Sequence, residues 1–140
     1  DEVYMEGTLR TFDRTARHTA WHIIEGVARS VDARFGTHTA VDINHGYPCV
    51  VNDRGLTDFA RKVASLDFKT VELPPRTTSE DFGYYCTEYP ALFYRLGVGT
   101  AAGGSHTPTF NPDERAIATG IDYMHRLATK IANEYGKETK

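Results

Sequence analysis

His106 sits in the stretch Gly103-Gly104-Ser105-His106-Thr107-Pro108-Thr109-Phe110-Asn111-Pro112-Asp113-Glu114. Glycines open backbone conformations closed to other residues and let a ligand approach, while Pro108 and Pro112 fix φ and stiffen the turn around the imidazole. A histidine held this way could be a metal ligand, or a solvated, hydrogen-bonded loop residue. A hydrolytic zinc site needs about three protein ligands, an open position for water, and a carboxylate to carry the proton to the leaving amine. His106 alone does not supply that. His18 and His22 share the i, i+4 spacing that can hold a metal on one helix face, but no acid or third histidine completes the set. His38 and His125 join no cluster, and His45 continues the Val41 and Ile43 face as a packing residue. Arg10 has the fork geometry that grips a carboxylate bidentately, or it is an exposed arginine on a strand. Glu80 and Asp81 follow Ser79, and two acids there suit the positive end of a helix dipole. Cys49 and Cys86 show no CxxC spacing, which argues against a zinc knuckle or a disulfide framework and for free, partly buried thiols.

These residues need elements to position them. Val3, Met5 and Leu9 alternate with polar neighbours, the period of a half-buried strand, with Arg10 on its polar face. Asp13 is a good helix N-cap, and Ala16, Ala20, Ile24, Val27 and Val31 recur at helical spacing up to Gly36, a natural stop. Thr39, Val41 and Ile43 then alternate as a second strand ending at His45-Gly46-Tyr47-Pro48. Strand, helix and strand fit a split β-α-β half of a ferredoxin-like sandwich, which needs further strands to complete it. Asn52-Asp53-Arg54-Gly55 is a turn cluster, after which Thr57 is expected to cap a short helix carrying Phe59, Val63 and Leu66. Residues 69–73 form a strand candidate closed by Pro74-Pro75, and Ser79 is expected to cap a helical turn. Residues 92–98 read as a buried strand running into the glycine-rich loop. Asn111-Pro112-Asp113-Glu114 opens a last helix whose expected apolar stripe is Ile117, Ile121, Met124, Ala128, Ile131 and Tyr135.

At 140 residues the chain suits one domain, or parts of two, and needs no disulfide or metal staple to bury a core. The apolar fraction of 40% and charged fraction of 25% are ordinary, and a formal charge of -3 leaves no footprint for nucleic acid. No run of apolar residues is long enough to span a membrane and no signal-like start is seen. Residue 1 is Asp rather than Met, and a strand pattern starts at once, which suggests a start inside a larger protein.

Several stretches line up with one family: Gly7-Thr8-Leu9-Arg10-Thr11-Phe12, Tyr47-Pro48 followed by Val51-Asn52-Asp53, Ser79-Glu80-Asp81-Phe82, and His106-Thr107-Pro108-Thr109-Phe110. In their order and spacing the chain resembles the C-terminal part of the dinuclear metal-dependent amidohydrolases and peptidases, among them hippurate hydrolases, N-acyl-amino-acid amidohydrolases and indole-acetyl-amino-acid hydrolases. The resemblance implies an α/β fragment of a two-domain zinc-peptidase fold. Residues 1–48 would be part of an α+β ferredoxin-like lid and dimerisation domain, and residues 49–140 the C-terminal part of the α/β catalytic domain. It further implies that His106 is the last metal ligand, that Arg10 and Asn52 are polar lid or hinge residues near the substrate, and that Glu80 lies close to the site. The parent enzyme would carry two divalent metal ions, zinc or manganese, and hydrolyse N-acyl amino acids or small peptides as a cytoplasmic homodimer or an assembly through the lid strand. The earlier metal-ligand segments of that family are absent from this sequence, so the chain by itself is expected to be inactive and to bind no metal tightly. The competing expectation is a non-catalytic α+β association module, with neither nucleic acid nor membrane as partner.

Overall fold

The computed structural model describes residues 1–135, which hold four helices: α1 (Arg14–Phe35), α2 (Arg54–Ala64), α3 (Gly83–Glu88) and α4 (Arg115–Tyr135). No β-ladder forms among the described residues, so the strands expected at 3–9, 39–43, 69–73 and 92–98 are corrected to segments outside any ladder. The cause is the difference between a segment and a pair. Alternation is a property of one segment, whereas a ladder needs a second backbone about 4.8 Å away with matching donors and acceptors. Among the described residues no helix is long and apolar enough to cross a membrane.

The chain forms two compact units, Asp1–Val51 with Leu73–Ala91, and Asn52–Glu72 with Leu92–Lys140. In the first, α1 starts where expected. The Asp13 carboxylate accepts the Ala16 N–H at 2.7 Å, and Gly36, in a left-handed conformation at φ 67°, donates its N–H to Asp32 O at 2.9 Å and closes the helix. Asp32 also accepts the Thr37 and Thr39 hydroxyls at 2.7 Å each and the Thr39 N–H at 2.9 Å, which ties the chain down as it leaves the helix. These bonds, the Thr39 hydroxyl first, hold the Asp32 carboxyl below its usual value. The apolar face of α1 finds no cover: Ile24, Val27 and Val31 are all exposed. The segment ending at Pro48 is fixed by Arg17, whose Nη1 donates to Tyr47 O at 2.8 Å, and by Pro48 against Gly83. A Cβ at Gly83 would lie 2.3 Å from Pro48 O, so only glycine fits there. Ser79 caps no helix. The chain turns at Glu80 to Phe82, with Gly83 N–H bonded to Glu80 O and Tyr84 N–H to Asp81 O, and α3 begins only at Gly83 without a side-chain cap.

In the second unit α2 begins earlier than expected. Asp53 is the N-cap, accepting the Leu56 N–H at 2.7 Å, and Thr57 lies inside the helix with its hydroxyl donating to Asp53 O. Aspartate is the better N-cap, so it takes the helix start ahead of Thr57. Ala60, Val63 and Ala64 of α2 pack with Tyr123 and Leu127 of α4, and Phe59, Phe68, Leu92, Tyr94 and Ile131 close around them. Tyr123 donates its hydroxyl to Ala60 O at 3.1 Å and meets the rings of Phe68 and Tyr94 edge-on at 5.7 and 5.0 Å. Burial pushes both tyrosine hydroxyls above their usual pKa. This corrects the stripe on α4. The buried face is Ala116, Tyr123 and Leu127, with Ile131 of the expected stripe partly buried beside them, while Ile117, Ile121, Met124 and Ala128 are exposed. Helix α4 carries two apolar faces, and packing on α2 selected the one centred on Tyr123. The side chain of Tyr135 lies outside the described residues.

Candidate functional site

The histidine loop belongs to the second unit and is closed at its neck. Asp113 N–H donates to Val98 O at 2.9 Å and Asn111 N–H to Ala102 O at 2.8 Å, so residues 98–113 leave and return at one place. Inside the loop, Thr107 N–H and hydroxyl both reach Gly104 O, and Phe110 N–H reaches Thr107 O at 3.1 Å. Gly103, at φ 76°, lets the two arms of the loop approach, since a Cβ there would stand 3.1 Å from Thr109 O. At the tip His106 is exposed and adopts φ 64°, the left-handed region that side chains rarely enter. Among the described non-glycine residues it alone does so. A strained backbone that the surrounding bonds hold in place is a recurring mark of binding and catalytic positions.

At the foot of the loop Asp113 accepts the Arg115 N–H at 3.0 Å and its guanidinium Nε at 2.9 Å, which keeps the Asp113 carboxyl below its usual value. An open hollow of about 290 Å³ lies there, lined by residues that include Gly97, Gly99, Asp113, Arg115 and Thr119 but not His106.

The other expected site residues are divided between the units. Arg10 and Glu80 lie in the first, where Arg10 Nη1 donates to Thr77 O at 2.8 Å and so reaches the segment that leads to the half-buried Glu80. The remaining guanidinium N–H groups stay available for a carboxylate. Asn52 lies in the second unit with both ends of its amide engaged: Oδ1 accepts the Phe93 N–H at 2.8 Å and Nδ2 donates to Phe93 O at 2.9 Å. The turn-rich run Asn52-Asp53-Arg54-Gly55 carries no signal of this pair of hydrogen bonds, because nothing local to either residue announces a partner 41 positions away.

The described residues contain no group of three or more His, Cys, Asp or Glu side chains placed to share a metal ion. His106 is one donor, so this donor set does not build a hydrolytic centre by itself. His18 is turned edge-on to Trp21 at 4.5 Å and His22 lies 3.9 Å from Glu25. His45 stacks nearly parallel on the Trp21 ring at 4.1 Å, though it remains exposed. Cys49 and Cys86 are free and half-buried, as expected, with Cys49 Sγ donating to Thr11 O.

Comparison with known proteins gives these features a context. The N-acetyldiaminopimelate deacetylase of Exiguobacterium sibiricum is 32% identical over 120 residues, covering 86% of this chain and 32% of that protein. The enzyme of the same name from Pediococcus pentosaceus is 35% identical over 127 residues, 87% of this chain and 32% of the relative. The N-acetyl-L-cysteine deacetylase of Bacillus subtilis is 30% identical over 140 residues, 98% of this chain and 33% of the relative. The chain thus spans about a third of the length of the curated relatives it matches. No solved structure matches it. Peptidase family M20/M25/M40 matches from residue 4 to residue 130, through both Arg10 and the His106 loop, and the chain belongs to that family.

Proposed function

We propose that this chain is the C-terminal part of a metal-dependent amidohydrolase that removes an acyl group, acetyl first among the candidates, from the nitrogen of an amino acid. The observation that carries the reading is His106, held at φ 64° on the tip of a closed loop in a chain of this family. Its imidazole would be one donor to a centre of two divalent ions, zinc or manganese, whose other donors lie outside these residues. Arg10 would pair with the substrate carboxylate and Glu80 would stand close to it, in a carboxypeptidase-like arrangement that selects amides bearing a free carboxylate. Residues 1–48 would belong to a lid that dimerises, and residues 49–140 to the catalytic domain, in a cytoplasmic enzyme. The acetylated substrates named for the relatives support acetyl as the group removed.

The test is expression of the whole reading frame that contains these residues beside the 140-residue chain alone. Both are assayed for acid release from N-acetyldiaminopimelate, N-acetylcysteine and hippurate with added zinc or manganese. Turnover by the whole protein and none by the chain alone is the expected result. Turnover by neither, or by the chain alone, would overturn it.

A second reading, a non-catalytic association module, is favoured by one observation: Val3, Tyr4 and Met5 are more than four-fifths exposed, beside an α1 whose apolar face is bare. A whole protein without hydrolase activity that associates through this unit would select it.

A further inference from the structure

We propose that Asn52 is a positioning residue, its side-chain amide standing in for one rung of a β-ladder and fixing the stem that presents the His106 loop. The proposal rests on the reading of His106 given above and deepens it. A carboxamide has the same donor and acceptor as a peptide group, and here both go to the two backbone groups of one residue, Phe93. That is how a neighbouring strand exchanges bonds with an antiparallel partner. The anchor itself is firm. Asn52 immediately precedes Asp53, the N-cap of α2, and α2 packs on α4 through Ala60, Val63 and Ala64.

From Phe93 the consequence runs along the stem. Leu92 and Tyr94 turn into the core on either side of Phe93, and Leu96 lies against Gly120, whose added Cβ would meet Leu96 Cδ2 at 2.9 Å. Residues 92–98 therefore keep the side-chain alternation of a strand, and the Asn52 amide bonds both backbone groups of Phe93 as a ladder rung would. At Val98 the stem becomes the neck of the loop, bonded to Asp113, and at Ala102 it is bonded to Asn111. A shift of the stem along its axis would break both neck bonds and move His106.

The experiment uses the protein expressed from its whole reading frame, as wild type, Asn52→Ala and Asn52→Asp. Amide hydrogen exchange at Phe93, Asn111 and Asp113 is measured together with bound metal, kcat and KM. In Asn52→Ala, exchange should rise by about tenfold or more at all three amides, with weaker metal retention, lower kcat and unchanged KM. Asn52→Asp keeps an acceptor for the Phe93 N–H but loses the donor to its carbonyl, so it should fall between the two. Unchanged exchange at Asn111 and Asp113, or a rise in KM with metal and exchange as in wild type, would overturn the proposal. If the wild type proves to be no hydrolase, the functional reading fails while the exchange comparison still decides the staple.

Discussion

His106 carries a conflict between stability and chemistry that substitution can expose. Its left-handed backbone is one that glycine enters freely, while a Cβ there costs about 1 kcal/mol. With metal removed by chelator from every protein compared, His106→Gly should therefore raise unfolding stability by about 0.5–1 kcal/mol, and with metal restored it should show neither metal retention nor turnover. His106→Ala keeps the strained Cβ and should lose function without that gain. Denaturant melts and metal analysis on the pair separate the two effects, and a His106→Gly protein that is less stable than His106→Ala would mean the backbone strain was misread. Arg10 behaves differently, because it touches the turn before Glu80 through one N–H and has others to offer. Losing a charge-assisted pair weakens substrate use by about 10- to 100-fold. Arg10→Ala should show this as a raised KM with metal content intact, and an unchanged KM would remove Arg10 from the substrate site.

Helix ends and close approaches carry the predictions at the next scale. Asp53 sets the start of α2 with a single carboxylate bond, so Asp53→Ala should cost about 1 kcal/mol, measured by chemical denaturation. Gly83 sits against the Pro48 carbonyl, and Gly83→Ala must push backbone apart, with an expected loss of about 1–3 kcal/mol or more. A neutral result would show that the two segments can separate freely. Asp32 gives a pH dependence with a definite sign. Its folded pKa is depressed below 3.8 by the Thr39 and Thr37 hydroxyls and the Thr39 N–H, so the ionised form is bound more tightly in the fold. That contribution is present above about pH 4 and fades as pH falls through the folded pKa. The turn after α1 should loosen in acid, seen as a lower protection factor at the Thr39 amide once the intrinsic exchange rate at each pH is divided out, and Asp32→Asn should abolish the pH dependence of that protection.

Across the whole chain, apolar surface is left uncovered on both units: Val3, Tyr4, Met5 and the Ile24–Val27–Val31 face of α1 in the first, Ile117, Ile121 and Met124 of α4 in the second. Patches of this kind mark interfaces or association. The 140-residue chain alone should bind an apolar dye and run larger than a monomer in light scattering, whereas the whole protein should show far less dye binding. A clean, dye-silent monomer would count against a covering partner. What the sequence determined by itself was local: Asp13 and Gly36 as the ends of α1, the glycine- and proline-rich loop around His106, the free thiols, and the family through motifs spread over both units. Capping, turn chemistry and motif order depend on residues near one another in the chain, and they can be read there. Tertiary structure alone decided which of the two apolar faces of α4 is buried, that residues 92–98 join no β-ladder among the described residues, and that the Asn52 amide is bonded to Phe93. Each of those outcomes depends on a partner distant in sequence, or on competition between two acceptable local choices. The pattern of a single segment holds no record of which partner or choice wins.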